Sequence, residues 1–537
     1  MTEKFIVFCK TNKILLLFAA FWAFIAFSAK IFLFTIGLDT EGFIADKQGS
    51  VTHWLGINRA ALVVLKNLWH IEFFNPFYST VIAMILLVFS AISWSFLIFY
   101  FDKNNYKKLP ILAFISVVAT SPIWAENLQF ALQSAEVFFG IFLTPLVTIM
   151  LFDGFIKKWK KKIILSIFLM AFIIGIYQSF AILFIFSIAV GFVFINENNN
   201  FDAKLLVKIL FAFLISMTIY LLVSNLSILI FDIDKPDYLS KMNLYNTHSI
   251  KTIFLNILGF AYILTFAKIP QIHSIVSSLF LDNQSFTLST GMSVSERIFE
   301  LSSVFGSITL LPLIFVFWTI LLKNMKKNAL SKNMISLSAG LLIPLSVMLL
   351  AIMLGNKPPI RSLFVLPFVF GFLFYFVISR SSKKTAYFFA ILSFIVAINS
   401  SQISSILFYN DSERFRQDIN LANSIDFEIK KIQDTSISVA ALVLIGKNNL
   451  QKNANYIRSE IIGFSEFEFG ANGYFESSKR GVLFMKSLGM NYEHPDSSQM
   501  KKAREIQKEM PNFPKNGSVK DCEDFIIVKL SESSFVE

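Results

Sequence analysis

Long apolar runs separated by short basic loops are the feature that most constrains the fold of this chain. Several of the runs approach the roughly 20 residues that cross a bilayer as a helix, and 55% of the 537 residues are hydrophobic. In a soluble protein, runs of this length would expose large apolar patches to water. The sequence therefore predicts an all-α polytopic membrane protein.

The runs and their flanking charges predict about eleven spans, with the N-terminus in the cytoplasm and the C-terminus outside. Lysine and arginine in short loops favour the cytoplasmic side, and lysines precede the first run while KKWKKK follows the fourth. The first run exceeds the apolar part of a signal peptide, so we interpret it as an uncleaved span. A further run at 253–267 is predicted to be re-entrant or interfacial. The predicted spans are 14–38, 80–101, 110–124, 135–152, 163–176, 180–195, 205–231, 301–322, 335–354, 361–378 and 386–408.

From Asn410 onward the composition changes to that of a small soluble domain. Apolar residues recur every three to four positions up to Ile432, which predicts an amphipathic helix, and SISVAALVLIG and DFIIVKL predict buried strands. We therefore predict a transmembrane domain over residues 1–409 and an outer α/β domain over residues 410–537. The two cysteines, Cys9 and Cys522, would lie on opposite sides of the membrane and could not pair.

Charged groups are rare within the predicted spans. Apart from Arg361 at the first position of its span, only Lys30, Glu136 and Lys208 are charged there, and each lies near enough to a span end for its head group to reach an interface. An ion-coupled transporter would be expected to keep binding groups near the midplane of the bilayer. The net charge of +12 falls mostly in short loops, so it does not call for a nucleic-acid partner.

Acidic residues collect instead in the loop after the first span, 38–76. Asp39 and Glu41 come first; in an extended segment side chains two apart face the same way, whereas in a helix they diverge. Partial burial beside a membrane would raise a carboxylate pKa toward that of a working general base. The alternative is that these acids only mark the water boundary of the span.

The other candidates are also predicted to lie on the outer face of the membrane, either in this loop or at the outer ends of later spans. Arg59, five residues after Trp54, opens a predicted amphipathic helix along the membrane and could clamp a lipid phosphate or only anchor that helix. Glu126 could orient acceptor hydroxyls, pair with Arg59 or help to bind a divalent cation. Similar but weaker arguments apply to the remaining candidates, which are Tyr177 and Gln178 at a hairpin tip and Arg361 after two prolines. His53 we interpret as a surface residue.

Taken in order, these short motifs resemble a known family. They are the acid pair (Asp39, Glu41), W-x-x-x-x-R (Trp54, Arg59), SP-x-x-x-EN-x-x-F (Ser121–Phe130), YQ (Tyr177, Gln178), P-x-R (Pro359, Arg361) and the C-terminal NFPKNGSVK…FIIVKL. The chain resembles the Gtr-type, serotype-converting glucosyltransferases of bacterial O-antigen, membrane enzymes of the GT-C architecture. It departs from them at Asn58, where glycine would be expected before the arginine.

The resemblance implies glucosyl transfer on the periplasmic side of the bacterial inner membrane. The donor would be undecaprenyl-phosphate-glucose and the acceptor an O-antigen or other surface polysaccharide repeat unit. A polyprenyl-phosphate glucosyl synthase and a flippase would be functional partners, and a divalent cation (Mg²⁺ or Mn²⁺) stays open as a cofactor. The resemblance assigns the base to Asp39, with Glu41 second, and substrate binding to Trp54, Arg59, Glu126, Tyr177, Gln178 and Arg361.

Three alternatives stay open at the level of sequence. A lipid-linked oligosaccharide flippase would need a polar path through the bilayer, against which the charge-poor spans argue. An O-antigen ligase or polymerase would also work on the outer face but would move a whole chain. The third is a non-enzymatic scaffold in which the C-terminal domain is the working part. No zinc spacing or glycine-rich nucleotide loop is present, so nucleotide-sugar use has no support.

Overall fold

The described part of the chain is mostly helical, with one small sheet near the C-terminus. The computed structural model describes residues 2–45, 47–70, 75–103, 105–197, 203–234, 243–245, 248–266, 294–325, 330–432, 440–448, 450–468 and 474–532. The helices of the first half are α1 (Thr2–Thr11), α2 (Lys13–Phe32), α3 (Thr40–Ala45), α4 (Lys47–Gly56), α5 (Ala60–Trp69), α6 (Pro76–Phe101), α7 (Lys108–Ala119), α8 (Ile123–Gln129), α9 (Ser134–Ile156), α10 (Lys160–Ile176) and α11 (Phe180–Glu197).

The second half continues with longer helices and then the sheet. Its helices are α12 (Ala203–Ile230), α13 (Ile250–Thr265), α14 (Val294–Phe305), α15 (Leu310–Met325), α16 (Leu330–Leu354), α17 (Val365–Arg380), α18 (Lys383–Ile432), α19 (Tyr474–Ser487) and α20 (Ser497–Ile506). The strands are β1 (Ala440–Ile445), β2 (Tyr492–Glu493), β3 (Val519–Asp521) and β4 (Phe525–Lys529). Both strands predicted from sequence are present, as β1 and β4.

Several helices are long and apolar enough to cross a membrane. Within the described residues, seven pass on length and composition, namely α2, α6, α9, α11, α12, α16 and α18. Two bent pairs, α7 with α8 at 43° and α14 with α15 at 55°, raise the number to nine if each is one span. The other two predicted spans correspond to α10 and α17, which have 17 and 16 residues. Each predicted span thus coincides with a helix or a bent pair.

Helix α18 joins the two predicted domains without a break. Its 50 residues correspond to about 75 Å at 1.5 Å per residue, far more than a bilayer is thick. The predicted boundary at Asn410 lies inside this helix. Its first half packs against α2, α7 and α17, while Ala422, Ile425 and Ile429 pack in the core of the small sheet.

The C-terminal sheet has four strands in the order β2-β1-β4-β3. β1 is parallel to β2 and to β4, and β3 is antiparallel to β4. One core of this domain contains Ile36 from the first loop together with residues of β1, β4 and α19, and α19 packs against α3. The loop after α2 is therefore built into the C-terminal domain.

The expectation for two charged residues in the spans was wrong. Lys30 is buried, and its Nζ donates to Gln129 Oε1 at 2.8 Å. Glu136 is also buried and forms an ion pair with Lys66 at 2.8 Å. Both head groups are turned to partners within the protein and are shielded from its surface. Lys208 is exposed on α12, and its reach to an interface stays a prediction.

Candidate active site

A buried polar network fixes the loop that carries the acid pair. Lys30 at the end of α2 bonds Gln129 on α8, and Gln129 Nε2 donates to Asp411 on α18 at 2.9 Å. Arg414, one turn further along α18, bonds Asp411 at 2.7 Å and the carbonyl oxygen of Ile36 at 2.8 Å. Because breaking a buried charged pair is costly, this network holds residues 33–39 in one position.

The acid pair lies at the start of α3, and both side chains meet one arginine. Asp39 has φ 73°, a left-handed conformation, and α3 begins at the next residue. Arg480 on α19 donates from Nη2 to Asp39 Oδ1 at 2.9 Å and from Nη1 to Glu41 Oε1 at 2.6 Å. The segment is not extended, yet the two carboxylates converge because Asp39 precedes the helix in an unusual backbone conformation. Such strain in a residue other than glycine is common at functional sites.

The two acids have different environments. The side chain of Asp39 is 57% exposed and that of Glu41 is 3% exposed. Burial acts to raise the pKa of Asp39, but Arg480, Arg361 and His53 outweigh it and hold that pKa below its ordinary value. Burial, followed by the charge of Asp39, raises the pKa of Glu41 to about 7 against the pull of Arg480. Asp39 is therefore the acid that is ionised and open to a substrate at neutral pH.

A third carboxylate, Glu466, lies behind Glu41 in the C-terminal domain. It is fully buried, and neither of its oxygens has a hydrogen-bond partner among the residues that the structure describes; Arg414 lies 3.5 Å from one of them. Burial, with a further contribution from Glu41, raises the pKa of Glu466 well above its ordinary value. The charge of Glu41 thus adds to burial in disfavouring the ionised form of Glu466.

Arg59 joins the first loop to the hairpin between α10 and α11. It precedes α5, as predicted, and its Nη1 donates to Gln133 Oε1 at 2.9 Å. Its guanidinium carbon lies 3.8 Å from the centre of the Tyr177 ring, and Gln178 donates to the carbonyl oxygen of Ile57. The loop and the hairpin tip are thus held face to face by stacking and hydrogen bonds.

The departure from the family pattern at Asn58 has a structural explanation. Asn58 has φ 63°, in the left-handed region that glycine adopts freely and that asparagine tolerates better than most other residues. Its carbonyl oxygen accepts a bond from the hydroxyl of Tyr220 at 3.3 Å. Asparagine can therefore replace glycine here and leave Arg59 in place.

Trp54 is buried beneath the first loop, where it packs on Phe43 with ring centres 5.4 Å apart. Lys66 lies with its Nζ 4.9 Å from the centre of the Trp54 ring and pairs with Glu136. Trp54 is thus a packing residue that supports α3 and α5. It is not placed to contact a substrate from the exposed side.

Glu126 and Arg361 meet through a C-terminal residue that the sequence did not reveal. The backbone N–H of Glu460 donates to Glu126 Oε1 at 3.0 Å. The carboxylate of Glu460 pairs with Lys357 at 2.8 Å and lies 3.6 Å from Arg361. Glu126 therefore neighbours Arg361, within electrostatic range, and the pairing with Arg59 that was considered from sequence is not made. Its other oxygen, Oε2, is buried and has no hydrogen-bond partner within the described part of the chain.

Electrostatic contacts connect these groups into one site. Arg361 lies within range of Tyr177, Glu460, Asp39 and Glu126, and His53 lies within range of Asp39 and Arg59. Residues from the first loop, α8, the hairpin tip, the segment before α17 and the C-terminal domain thus meet at one place. The structure brings together the polar candidates predicted from sequence.

Three charged residues of this site were missed, namely Glu460, Glu466 and Arg480. All three lie more than 400 positions after the acid pair, in segments without a recognisable motif. A local pattern gives no signal for such partners. Among the residues that the structure describes, no group of three His, Cys, Asp or Glu side chains could hold a metal ion, so the divalent cation stays a prediction and no step is assigned to it.

Two cavities lie beside the site. One of about 400 Å³ is lined by His53, Thr52, Gly49 and residues 231–234, which include Asp232 and Asp234. The other, of about 260 Å³, is mainly apolar and lies among α7, α8, the bend between α14 and α15, α17 and α18. Its lining includes Pro122 and Ile123, at the start of the helix that carries Glu126.

Comparison with known families gives one match. Residues 28–378 match the family model described as glucosyl transferase GtrII. No curated protein and no solved structure matches the chain. The matched range contains Asp39, Glu41, Arg59, Glu126 and Arg361, and it ends before Glu460, Glu466 and Arg480.

Proposed function

Because the chain belongs to the glucosyl transferase GtrII family, we propose that it transfers one glucosyl residue from a polyprenyl-phosphate-linked glucose to a polysaccharide repeat unit. Membership of this family supports glucosyl transfer as the reaction. The donor, the O-antigen-like acceptor and the periplasmic face of the bacterial inner membrane are our proposals. They rest on the grouping of a carboxylate with arginines beside helices long enough to cross a membrane.

The observation that carries the proposal is the position of Asp39. It is an exposed carboxylate with a lowered pKa, and Arg480 and Arg361 lie beside it. In glucosyl transfer from a lipid phosphate, the acceptor hydroxyl loses a proton while the phosphate leaves with the bonding electron pair. A carboxylate next to guanidinium groups supplies both needs, since the acid takes the proton and the arginines stabilise the leaving phosphate.

The cavities suggest where the two substrates bind. The apolar cavity beneath α8 would take part of the lipid chain, which places the phosphate toward Arg361. The cavity beside His53 has room for sugar units, and carboxylates such as Asp232 and Asp234 are suited to accept bonds from sugar hydroxyls. Asp39 lies within electrostatic range of both His53 and Arg361, so we propose that it lies between the two subsites.

Partner enzymes follow from the chemistry of the donor. A glucosyl group on a polyprenyl phosphate must first be attached by a polyprenyl-phosphate glucosyl synthase. If that reaction takes place on the cytoplasmic face, a flippase must carry the product across the bilayer. Both remain predictions for this chain.

The test is glucosyl transfer in membranes that contain the full-length protein. Labelled polyprenyl-phosphate-glucose and lipid-linked acceptor are supplied, and the mass of the product is measured by mass spectrometry. Addition of one hexose supports the proposal, while transfer of a whole chain would support a ligase or polymerase. Movement of lipid-linked oligosaccharide without transfer would support a flippase. Sealed vesicles of each orientation then show which face reacts.

A further inference from the structure

The C-terminal domain supplies the acid pair with its arginine. Arg480 bonds Asp39 at 2.9 Å and Glu41 at 2.6 Å. Residue 480 lies about one hundred positions beyond the end of the family match at 378. A site in the matched region therefore depends on a side chain that the family match does not cover.

The two bonds of Arg480 differ in their exposure. The bond to Glu41 is the more buried of the two, because that carboxylate is only 3% exposed, although Arg480 itself is 17% exposed. The bond to Asp39 lies at the surface, because that side chain is 57% exposed. Breaking a buried charged bond leaves an uncompensated charge and is costly, whereas an exposed ion pair contributes little and exchanges readily. Asp39 is therefore the partner that an incoming anion can replace.

The exposed carboxylate of Asp39 occupies a place suited to a phosphate. Arg480 bonds it, Arg361 lies within electrostatic range, and their side chains are 17% and 26% exposed. Guanidinium groups bind phosphate and carboxylate oxygens with the same forked geometry. A phosphate group could thus take the hydrogen bond that Asp39 now accepts.

We propose that Arg480 is a catalytic residue that binds the lipid phosphate of the donor, held in place by Glu41 and exchanging Asp39 for the phosphate. This inference rests on the proposed glucosyl transfer. In the reaction, the acceptor O–H proton goes to Asp39 and a bond forms between the acceptor oxygen and the anomeric carbon. The bond between that carbon and the phosphate oxygen breaks, and the oxygen keeps the electron pair beside Arg480. Glu41 acts as a positioning residue.

Replacement of Asp39 by the phosphate at Arg480 also makes Asp39 a stronger base. Arg480, Arg361 and His53 lie within electrostatic range of Asp39 and together hold its pKa below the ordinary value, while the Glu41 carboxylate is a further charged neighbour. When the phosphate takes up the charge of Arg480, that attraction weakens and the pKa of Asp39 rises. A carboxylate with a higher pKa is a stronger base, so the donor activates Asp39 as it binds.

Binding of a polyprenyl phosphate tests this directly, because it needs no turnover. The full-length protein in nanodiscs is titrated with a polyprenyl phosphate and, separately, with the neutral polyprenol. We expect Arg480→Gln to raise the Kd for the phosphate at least tenfold and to leave the Kd for polyprenol unchanged. Arg480→Lys, which keeps the charge but loses the fork, should give an intermediate Kd. Arg416→Gln, at an exposed ion pair of α18, is the control and should match the wild type.

Two outcomes would overturn the inference. One is a folded Arg480→Gln protein whose Kd for polyprenyl phosphate is unchanged, since Arg480 would then only hold the two acids. If Arg480→Gln does not fold, an unchanged Kd in Arg480→Lys has the same meaning. Failure of the proposed function gives a different result. The wild type would then bind the phosphate through Arg480 but transfer no glucose.

Discussion

The guanidinium carbon of Arg59 lies over the ring of Tyr177, 3.8 Å from the ring centre. This contact joins the loop after α2 to the hairpin tip between α10 and α11. The hydrogen bond from Arg59 to Gln133 at 2.9 Å is a second contact of the same guanidinium. The two contacts together fix the position of Arg59 in the site.

Arg59→Lys should lower the transfer rate by about tenfold or more, because lysine cannot stack flat on Tyr177 and bond Gln133 together. The thermal unfolding temperature should change little, as the charge and the aliphatic stem remain. Arg416→Lys, at the exposed ion pair with Glu413, makes the same exchange away from the site and is the matched control, so its transfer rate should stay within about twofold of wild type. Equal losses in both variants would contradict this role for the stacking.

Glu460 holds the C-terminal domain against the segment before α17. Its carboxylate pairs with buried Lys357 at 2.8 Å and accepts from the backbone N–H of Ile360 at 2.7 Å. Glu460→Ala should cost about 3–5 kcal/mol of folding free energy, because it leaves a buried cation unpaired. Glu428→Ala, at the exposed pair with Lys431, should cost about 1 kcal/mol or less. Thermal unfolding of both variants in the same detergent checks this, and similar costs would contradict it.

Glu466 gives the folded protein a pH dependence above the ordinary carboxyl range. Because its pKa is raised in the folded state by burial and by Glu41, the folded state holds a proton that the unfolded chain has already released. The contribution of Glu466 to the free energy of unfolding is fully present below about pH 4.5. It is lost as the pH rises toward the pKa that Glu466 has in the folded state. Glu466→Gln mimics the protonated acid and removes this loss.

The unfolding temperature of wild type and Glu466→Gln should therefore diverge as the pH rises. We expect the two to be similar at pH 5 and the variant to be more stable at pH 8. Glu413→Gln, at the exposed pair with Arg416, should follow the wild type at both values. A variant that is less stable than wild type at pH 8 would show that Glu466 is held as a carboxylate.

Much of the bundle and part of the site could be predicted from the sequence, because they depend on local patterns. Apolar runs of bilayer length predicted the positions of the long helices. Short motifs on the predicted outer face indicated Asp39, Arg59 and Arg361 as candidate site residues. The partners of these residues could not be predicted in the same way. Arg480 and Glu460 reach the site only through the folding of α18 and the C-terminal domain, and nothing local to them indicates that contact.

Two local expectations failed for related reasons. Lys30 and Glu136 lie near span ends, which indicated contact with the interface, yet long-range partners bury both. The acid pair was expected to converge only if its segment were extended. It converges at a helix start because Asp39 adopts φ 73°, a conformation that sequence patterns rarely reveal for aspartate.

In the proposed reaction, Asp39 accepts the proton of the acceptor hydroxyl. The most direct measurement is the initial rate of single-hexose transfer from polyprenyl-phosphate-glucose by Asp39→Asn, which keeps the size of the side chain and removes the base. We predict a rate lower by about 10² to 10⁴-fold, with the unfolding temperature close to that of wild type. A folded Asp39→Asn protein that transfers glucose within about twofold of the wild-type rate would contradict the account.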